Sequence, residues 1–344
     1  MTNKVLFITS DKIKDSYGIT SGLFNSASFV VSFLNKNGVE AKLASIPDSN
    51  SIDKVVTEFN PDIVVIEALW VPPYKFVELL NIPRHASRKW IVRIHSKAPF
   101  LSMEGMATKW IRDYTTINNG AIIIAPNTIE LTEQLTSCFP MGNFTYLPNI
   151  YTIKEIIKPL KPVDEDYINI GCFGAIRPMK NIYQQAMSAI EFAEVIDKKL
   201  RFHVNASRTE QNGNNVLKNL RALFEFSIHE LVEHGWYNHH EFLQEASKMD
   251  LCMQVSLSES FNIVTADIVS VDVPIVISTD IEWMPWILKT VPTSHDKIVK
   301  KLMIAYSFPK TISKIQKFYL KKYNKKAEKI WLKKIHKKWD DFQL

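Results

Sequence analysis

The sequence predicts an α/β protein with two Rossmann-like, doubly wound parallel sheets in series, followed by a basic amphipathic helix. Strand-like segments alternate with helix-like segments along most of the 344 residues, which is the pattern of a parallel sheet. The alternation stops once, at a segment that contains two prolines, and then starts again. Near the end of the chain, lysines surround a line of apolar residues that recur at helical spacing.

The first series of strands predicts an N-terminal domain over residues 1–155. Its six strand-like segments lie near residues 5–9, 41–46, 63–67, 90–95, 121–125 and 144–147. Between the first two segments, apolar residues recur at the spacing of a buried helix face, at Leu23, Ala27, Val30 and Leu34. Gly38 follows and is expected to end that helix.

The segment 150–164, with Pro159 and Pro162, is the predicted linker. A second domain is then predicted over residues 165–305. Its strands are expected near 168–173, 201–205, 231–234, 251–255 and 274–277. Its helices are expected near 181–197, 214–226, 239–247 and 262–269. Because open α/β sheets bind ligands at the carboxyl ends of their strands, we expect the two domains to face a shared cleft.

Residues 306–344 are predicted to form the C-terminal helix. Its apolar stripe consists of Ile312, Ile315, Tyr319, Tyr323, Ala327, Trp331, Ile335 and Trp339. From Lys310 onward twelve lysines stand against three acidic residues, whereas the whole chain has a net charge of only +6. The helix is therefore a basic element on a slightly acidic body.

Composition excludes several classes of protein. The hydrophobic content of 46% and charged content of 23% are those of a soluble globular protein. No apolar run reaches the ~18–20 residues of a membrane span, and no secretory leader is visible, so a cytoplasmic location is expected. The cysteines Cys138, Cys172 and Cys252 lack metal-ligand spacing, and we expect reduced thiols in or near the core.

Two groups of residues in the second domain could form a binding site, and the second of them has the chemistry of a diphosphate site. Glu259 and Asp267 stand eight residues apart around a predicted helix start, a little over two helical turns. Upstream, Gly174 follows a strand, and Arg177 and Lys180 precede a helix. Glycine permits close backbone approach, a helix start supplies amides, and the two cations balance phosphate charge.

The stretch from Glu259 to Asp267 resembles the Glu-x7-Glu motif of retaining glycosyltransferases with two Rossmann domains, the GT-B architecture, and is family 4-like. The second acid is Asp here, and Asn262 stands where the family usually has glycine. Gly174 and Lys180 keep the family's interval of six residues. The family's arginine is replaced by Ala175, and the nearest arginine, Arg177, is displaced by two positions.

This resemblance implies a role for each matching residue. Glu259 would contact the hydroxyls of the donor sugar as a catalytic residue, and Asp267 would contact the ribose. Lys180, Arg177 and Gly174 would bind the diphosphate. They would act together with the backbone amides of four consecutive residues, Ser260, Phe261, Asn262 and Ile263.

In the first domain the resemblance implies a second catalytic residue, His95, which would point at the transferred sugar. Ser21 and Gly22, in the loop after the first strand, would lie against donor and acceptor. Glu67, at a strand end, is a weaker candidate. In the GT-B fold the last helix commonly returns to pack on the first domain, and the C-terminal stripe suits that role.

The resemblance implies a glycosyltransferase that retains the configuration of the sugar and uses a nucleotide-diphosphate sugar, with a UDP-sugar as the expected co-substrate. It implies no tightly bound cofactor and no metal. The sequence agrees, because the adjacent His239 and His240 would point apart on a helix. Nothing in the sequence indicates a protein partner.

The acceptor stays open between three interpretations of the lysine-rich helix. Its basic end, including Lys333, Lys334, Lys337 and Lys338, suits the phosphates of double-stranded DNA. In length and basic tail the chain is similar in type to phage enzymes that glycosylate hydroxymethylated DNA bases. A membrane surface with a lipid-linked or surface polysaccharide acceptor is the alternative, and a solvated face without a partner is the third.

A hypothesis of another class is a sugar-nucleotide-binding protein without catalytic activity. The departures from the family motif at Ala175, Asn262 and Asp267 favour it.

Overall fold

The computed structural model describes residues 3–10, 22–153 and 166–336. The chain divides into two compact units. Unit 1 comprises Met1–Thr152 together with Asn324–Leu344, and unit 2 comprises Ile153–Tyr323. Each unit encloses a buried cluster of hydrophobic side chains on its own sheet.

Unit 1 contains a parallel six-stranded sheet in the order β2-β1-β3-β4-β5-β6. The strands are β1 (Val5–Ser10), β2 (Ala41–Ile46), β3 (Ile63–Glu67), β4 (Lys89–Ile94), β5 (Ile122–Pro126) and β6 (Asn143–Phe144). Strands β1, β3 and β5 are buried along their whole length, because helices cover both faces of a parallel sheet. The sixth strand is shorter than predicted, with only two residues.

Among the described residues of unit 1, seven α-helices connect or flank these strands. They are α1 (Gly22–Lys36), α2 (Ile52–Phe59), α3 (Pro73–Leu80), α4 (Pro83–Ala86), α5 (Ala98–Leu101), α6 (Ala107–Thr116) and α7 (Ile129–Cys138). Helix α1 buries Ala27, Val30 and Leu34, as their spacing predicted. Cys138, at the end of α7, is exposed, so the prediction of a core or near-core thiol there is wrong.

Unit 2 contains a second parallel six-stranded sheet, in the order β12-β11-β10-β7-β8-β9. Its strands are β7 (Tyr167–Gly171), β8 (Lys199–Asn205), β9 (Glu230–His234), β10 (Leu251–Gln254), β11 (Ile275–Ser278) and β12 (Lys289–Thr290). If β7 is numbered as the first strand and the sheet is read from β9 to β12, the order is 3-2-1-4-5-6, which is that of Rossmann sheets. The two-residue β12 has no counterpart in the predicted strands.

Five helices pack on this sheet, namely α8 (Ile182–Val195), α9 (Gly213–Phe224), α10 (His239–Ala246), α11 (Ile263–Ser270) and α12 (His295–Ser307). Strands β7 and β10 are neighbours, although β8 and β9 separate them in the chain. The direction of winding reverses at such a switch point, and open α/β sheets bind ligands beside it. The corresponding switch point of unit 1 lies between β1 and β3.

The last helix, α13 (Pro309–His336), contributes to both units, because the division falls between Tyr323 and Asn324. Its fully buried residues include Ile312, Gln316, Leu320, Ala327, Trp331 and Ile335. The predicted stripe members Ile315, Tyr319 and Tyr323 are only half-buried, and Trp339 lies outside the described residues.

Hydrogen bonding explains why a polar residue occupies the buried line of α13. The Gln316 side chain donates to the Ile275 carbonyl at 2.7 Å and accepts from the Ile275 amide at 3.2 Å. Both backbone groups at the start of β11 are thereby satisfied by one amide side chain. A prediction from apolar residues alone therefore assigns this part of the buried stripe to the wrong positions.

The second half of α13 packs within unit 1. The Trp331 indole donates to the Pro148 carbonyl at 2.7 Å, and its ring lies against Phe7. Asn324 exchanges two side-chain hydrogen bonds with the backbone of Tyr151. Within the described ranges, no helix, α13 included, combines the length and hydropathy that a membrane crossing needs.

The predicted fold class is confirmed in its two parallel α/β sheets and in the C-terminal helix that follows them.

Candidate functional site

The switch point of unit 2 brings together two residues predicted from separate motifs. Lys180 ends a 3-10 turn (Pro178–Lys180) in the connection after β7, and Glu259 lies in the loop after β10. The Lys180 Nζ donates to Glu259 Oε1 at 2.5 Å, across 79 residues of sequence. Their side chains are 11% and 9% exposed, so the ion pair is mostly shielded from water. Two residues from separate sequence motifs are thus in direct contact.

A third residue, Gln254, holds this pair in place and was not predicted from the sequence. It is the last residue of β10 and is buried. Its Nε2 donates to the Phe173 carbonyl at 2.7 Å, which ties the ends of β10 and β7 together. Its Oε1 accepts from Asn262 Nδ2 at 2.9 Å and lies 3.5 Å from Lys180 Nζ. A single glutamine at the end of an apolar strand is not a sequence pattern that indicates a binding site.

Asn262 starts helix α11 and explains how the family's glycine can be replaced. Its φ of 54° is left-handed, a region that asparagine tolerates better than most residues. Its Oδ1 accepts from the Thr265 amide at 2.9 Å, as an N-cap residue does. The helix start therefore keeps its geometry, and the N-terminal end of α11 carries partial positive charge.

Gly174 lies against this end of α11. A Cβ built on Gly174 would stand 3.8 Å from Val264 Cγ2, and the φ of Gly174 is +110°, which L side chains rarely adopt. The Gly174 amide donates to Asn205 Oδ1 at 2.9 Å, and Asn205 Nδ2 donates to the Gly235 carbonyl at 2.9 Å. The glycine loop is thus fixed from the ends of β8 and β9.

The residues between Glu259 and Asn262 are held by contacts within unit 2. The Glu259 amide donates to Asp280 Oδ2 at 3.2 Å. The Phe261 carbonyl accepts from the Trp283 indole at 2.7 Å, and the buried Phe261 ring stacks on Trp283 and Tyr323. Ser260 and Ile263 are half-buried. Their predicted role as amide donors to a diphosphate stays a prediction.

Asp267, predicted to bind ribose, is buried on α11 and has a partner that the sequence did not indicate. Its Oδ1 lies 2.7 Å from His239 Nε2, at the first residue of α10. The Asp267 side chain is 5% exposed and that of His239 is 21% exposed. Since 28 residues separate the two, no local spacing signals this pair. His239 is thereby a further residue of the candidate site.

Arg177 contacts an acid rather than the Lys180–Glu259 pair. Its Nη1 lies 3.2 Å from Glu210 Oε2, and Glu210 Oε1 also accepts from Arg208 at 2.7 Å. The Arg208 guanidinium lies 4.6 Å from the centre of the Trp236 ring. Binding of a diphosphate by Arg177 would require exchange of the Glu210 contact, and this role stays a prediction.

In unit 1, His95 and Glu67 form a buried polar group together with Arg93. His95 Nε2 lies 2.6 Å from Glu67 Oε2, and Arg93 Nη1 donates to Glu67 Oε1 at 2.9 Å. Glu67 and Arg93 are fully buried. Arg93 also donates to the Asn149 side chain at 3.0 Å. Glu67 therefore orients His95, whose catalytic role stays a prediction.

The electrostatics of this group favour ionised Glu67 and neutral His95. Burial alone would raise the pKa of Glu67, but the charge of Arg93 and the hydrogen bond from His95 outweigh it and hold the pKa below its ordinary value of 4.5. Burial, assisted by the charge of Arg93, lowers the pKa of His95, and the contact with Glu67 only partly opposes this. The neutral imidazole then donates from Nε2 to the carboxylate.

The remaining predicted residues lie at the edges of the described ranges. Gly22 begins α1, whereas Ser21 lies outside the described residues. On α13, Lys333 is exposed and Lys334 is half-buried. Lys337 and Lys338 lie outside the described residues.

Within the part of the chain that the structure describes, one group of side chains has ligand atoms placed for a metal ion, namely His203, His234 and Glu245. None of the predicted site residues belongs to it. The sequence did not indicate this group, because its members lie on three different elements, β8, β9 and α10.

No protein-family model matches this sequence, and no curated protein matches it. Solved structures do match over both units. The sucrose-phosphate synthase of Thermosynechococcus elongatus aligns with a TM-score of 0.72 and 11% identity, over 97% of this chain and 98% of its own. A UDP-forming trehalose-phosphate synthase from Burkholderia xenovorans aligns with a TM-score of 0.64 and 10% identity, over 97% and 99%.

A third similar structure is S. aureus TarM in complex with fondaparinux, α-GlcNAc-glycerol and UDP. It has a TM-score of 0.61 and 13% identity, over 80% of this chain and 55% of its own. The chain thus spans about half the length of TarM and nearly all of the two synthases. These are structures of the GT-B type. At identities this low the likeness establishes a shared fold, GT-B, for this chain.

Proposed function

We propose that this protein is a retaining glycosyltransferase that moves a sugar from a nucleotide-diphosphate sugar, with a UDP-sugar as donor, to a hydroxyl group. The GT-B fold supports this proposal, as do similar structures that are described as UDP-forming or bound to UDP. Fold alone does not assign a reaction. The argument for this chain therefore depends on its own site residues.

The observation that carries the proposal is the Lys180–Glu259 contact beside the start of α11. A lysine cation and the amides of a helix N-terminus together form an anion site suited to a diphosphate. A carboxylate next to that site can accept hydrogen bonds from sugar hydroxyls. On donor binding, Lys180 would exchange the Glu259 carboxylate for a phosphate oxygen and release Glu259 for the sugar.

In the proposed reaction the bond between the anomeric carbon and the phosphate oxygen breaks, and the acceptor oxygen bonds to that carbon from the same face. The acceptor proton passes to a phosphate oxygen of the leaving nucleotide. Lys180 and the amides at the start of α11 stabilise the charge that develops on the diphosphate. Glu259 and His95 are the proposed sugar contacts, and Asp267, held by His239, is the proposed ribose contact.

We expect UDP-sugars to raise the melting temperature of the protein. A donor present at a hundred times its Kd stabilises the folded state by about 2.7 kcal/mol, which corresponds to a shift of roughly 5 °C or more for a unit of this size. Differential scanning fluorimetry with UDP-, ADP- and GDP-sugars measures the shift. Lys180→Gln should lose most of it, and Lys218→Gln, at an exposed position on α9, should keep it.

Absence of any shift across the panel, under conditions that keep the protein folded, would contradict the proposed donor class. The alternative of a non-catalytic binder predicts the same shift but a different reaction outcome. Incubation of the donor with the protein and no acceptor separates the two. An enzyme slowly releases free sugar and UDP, whereas a binder leaves the donor intact.

For the acceptor we propose duplex DNA with hydroxymethylated bases, with a lipid-linked or surface polysaccharide as the second candidate. The observation that favours an anionic partner is the solvent-facing side of α13 in unit 1. Four exposed lysines lie along it, Lys325, Lys326, Lys329 and Lys333. Basic side chains in such a row neutralise successive phosphates and release counterions.

DNA binding should weaken steeply with salt, and the slope should fall when lysines at and after the end of α13 are neutralised. The test variant carries Gln at Lys333, Lys334, Lys337 and Lys338. If each lysine neutralises one phosphate, the slope of log K against log salt falls by about 0.9 per lysine, roughly 3.6 in all. The control variant carries Gln at four exposed lysines elsewhere, Lys36, Lys54, Lys218 and Lys300.

Fluorescence anisotropy with duplex DNA, beside co-sedimentation with anionic vesicles, distinguishes the candidate partners. Equal loss of DNA binding in both variants would mean that the contact is non-specific. Binding to vesicles and not to DNA would favour the membrane-linked acceptor. Binding to neither would leave the lysines as a solvated face.

A further inference from the structure

A cluster of three side chains in unit 2 has a geometry that the proposed reaction does not use. His203 lies on β8, His234 ends β9 and Glu245 lies on α10. One ring nitrogen of each histidine and a carboxylate oxygen of Glu245 lie within 4.8 Å of one another. His203 is buried, and the other two are half-buried. The cluster is therefore partly accessible from one side.

Hydrogen bonds along this cluster determine which ring nitrogen carries each proton. His203 Nε2 lies 3.2 Å from Asn169 Oδ1, an acceptor, so His203 carries its proton on Nε2. The other nitrogen, His203 Nδ1, then accepts from His234 Nε2 at 2.8 Å. His234 Nδ1 in turn accepts from the Tyr237 hydroxyl at 2.9 Å. The inner nitrogens of the two rings face each other, and each outer nitrogen has an oxygen partner.

We propose that His203 Nδ1, His234 Nε2 and a carboxylate oxygen of Glu245 bind one divalent transition-metal ion, with Zn²⁺ as the best match. Two imidazoles and one carboxylate form a ligand set typical of zinc. Metal-bound histidines nearly always have an oxygen partner on the other ring nitrogen, which orients the ring. Asn169 and Tyr237 already occupy these positions.

Both histidines are also neutral, as metal-binding imidazoles are, although His234 carries its proton on the nitrogen that would face the metal. Burial lowers the pKa of His203 to about 3, and burial likewise lowers the pKa of His234. Neutral imidazoles bind metal without first losing a proton to solvent.

Binding requires two local changes. The His234 proton moves from Nε2 to Nδ1, from which it donates to the Tyr237 oxygen, so that both inner nitrogens present lone pairs. Glu245 exchanges its contact with Lys248 Nζ, at 2.5 Å, for the metal. Zn–N bonds of about 2.0–2.1 Å in a tetrahedral site separate the two nitrogens by about 3.3 Å. The rings, whose facing nitrogens are 2.8 Å apart, therefore move apart by about half an ångström and turn until both lone pairs point at the ion.

The position of this site suggests a structural role. His234 immediately precedes Gly235, whose carbonyl accepts from Asn205, and Asn205 also holds the Gly174 amide. A metal that links β8, β9 and α10 would fix the connection on which the Gly174 loop depends. The proposed ion is distinct from the Lys180–Glu259 site and takes no part in the proposed transfer.

The test uses the untagged full chain after treatment with a chelator. Isothermal titration with Zn²⁺ and the visible absorption of Co²⁺, displaced by Zn²⁺, measure affinity and stoichiometry. We expect one ion per chain, and loss of it in His234→Gln and in Glu245→Gln. Tyr237→Phe should weaken binding by about 10–100-fold, because it removes the partner of His234 Nδ1.

The matched control is His240→Gln, which changes an exposed histidine of α10 that contacts Gln244. It should bind metal like the unaltered chain. Failure of the unaltered chain to bind Zn²⁺ or Co²⁺ would overturn the proposal, as would unchanged binding in Glu245→Gln. Circular dichroism and donor-induced stabilisation test whether the Glu245→Gln variant is folded.

Discussion

Replacement of Glu259 or Lys180 by alanine is expected to lower turnover by about a hundredfold or more, the effect typical of removing one group that stabilises transition-state charge. The two residues contact each other and serve the sugar and the diphosphate in the proposed mechanism. Loss of Lys180 leaves the leaving group without its nearest cation. Loss of Glu259 removes a sugar contact and leaves Lys180 without its carboxylate partner.

Release of UDP with a stabilising donor and a working acceptor measures the effect. The matched controls are Glu225→Ala and Lys218→Ala, at exposed positions of unit 2, which should keep full activity. Since Glu259 and Lys180 are in contact, the double variant should lose less than the product of the single losses. Near-normal turnover in both single variants, with the fold intact, would mean that these residues take no part in the reaction.

The second large effect concerns the stability of unit 1. Glu67→Ala is expected to lower the free energy of unfolding by about 3–5 kcal/mol, the cost of removing one partner of a buried ion pair. The variant would leave the fully buried Arg93 guanidinium without its carboxylate and His95 without its acceptor. Urea unfolding monitored by tryptophan fluorescence measures the effect, because Trp90 and Trp331 are buried in unit 1 and become exposed when it unfolds.

The control for this prediction is Glu58→Ala, which removes an exposed carboxylate from α2 and should change stability by less than about 0.5 kcal/mol. An effect of Glu67→Ala no larger than that of the control would mean that the buried group contributes little. Arg93→Ala should also lower the free energy of unfolding, since it leaves the Glu67 carboxylate buried without its guanidinium partner.

The pH dependence follows from the lowered pKa of Glu67. Above pH 4.5 the carboxylate is ionised in both the folded and the unfolded chain, and its full stabilisation is present. As the pH falls below 4.5, the unfolded chain takes up a proton before the folded one, and the stabilisation is lost. The stability difference between the unaltered chain and Glu67→Gln should therefore be largest above pH 4.5 and shrink below it.

Most strands of both sheets could be predicted because buried parallel strands are continuous apolar segments bounded by turn residues. The two-residue β12 could not, because a segment so short has no periodicity. In α13, Gln316 occupies a buried position because its side chain hydrogen-bonds to the Ile275 backbone. Hydropathy patterns do not reveal buried polar residues of this kind.

For the candidate site, too, sequence patterns indicate local motifs but not contacts between distant residues. The sequence singles out Glu259, Lys180 and Asp267 because each belongs to a short motif with a fixed spacing, and their roles stay predictions. Their partners lie far away in the chain, and residue spacing does not reveal a contact between distant elements. Gln254, which contacts Lys180, and His239, which contacts Asp267, are examples. In unit 1 the same holds for Arg93, which interrupts an apolar strand and has its contact with the distant Glu67.

The placement of residues 324–336 in unit 1 has a consequence for biosynthesis. The contacts of Trp331 with Phe7, Arg93 and Pro148 cannot form until translation has passed residue 331. Unit 1 is thus completed only after unit 2 has been translated, and a fragment ending at residue 153 would leave Phe7 and Pro148 without their contacts to Trp331. Co-translational folding of unit 1 is expected to depend on residues 324–336.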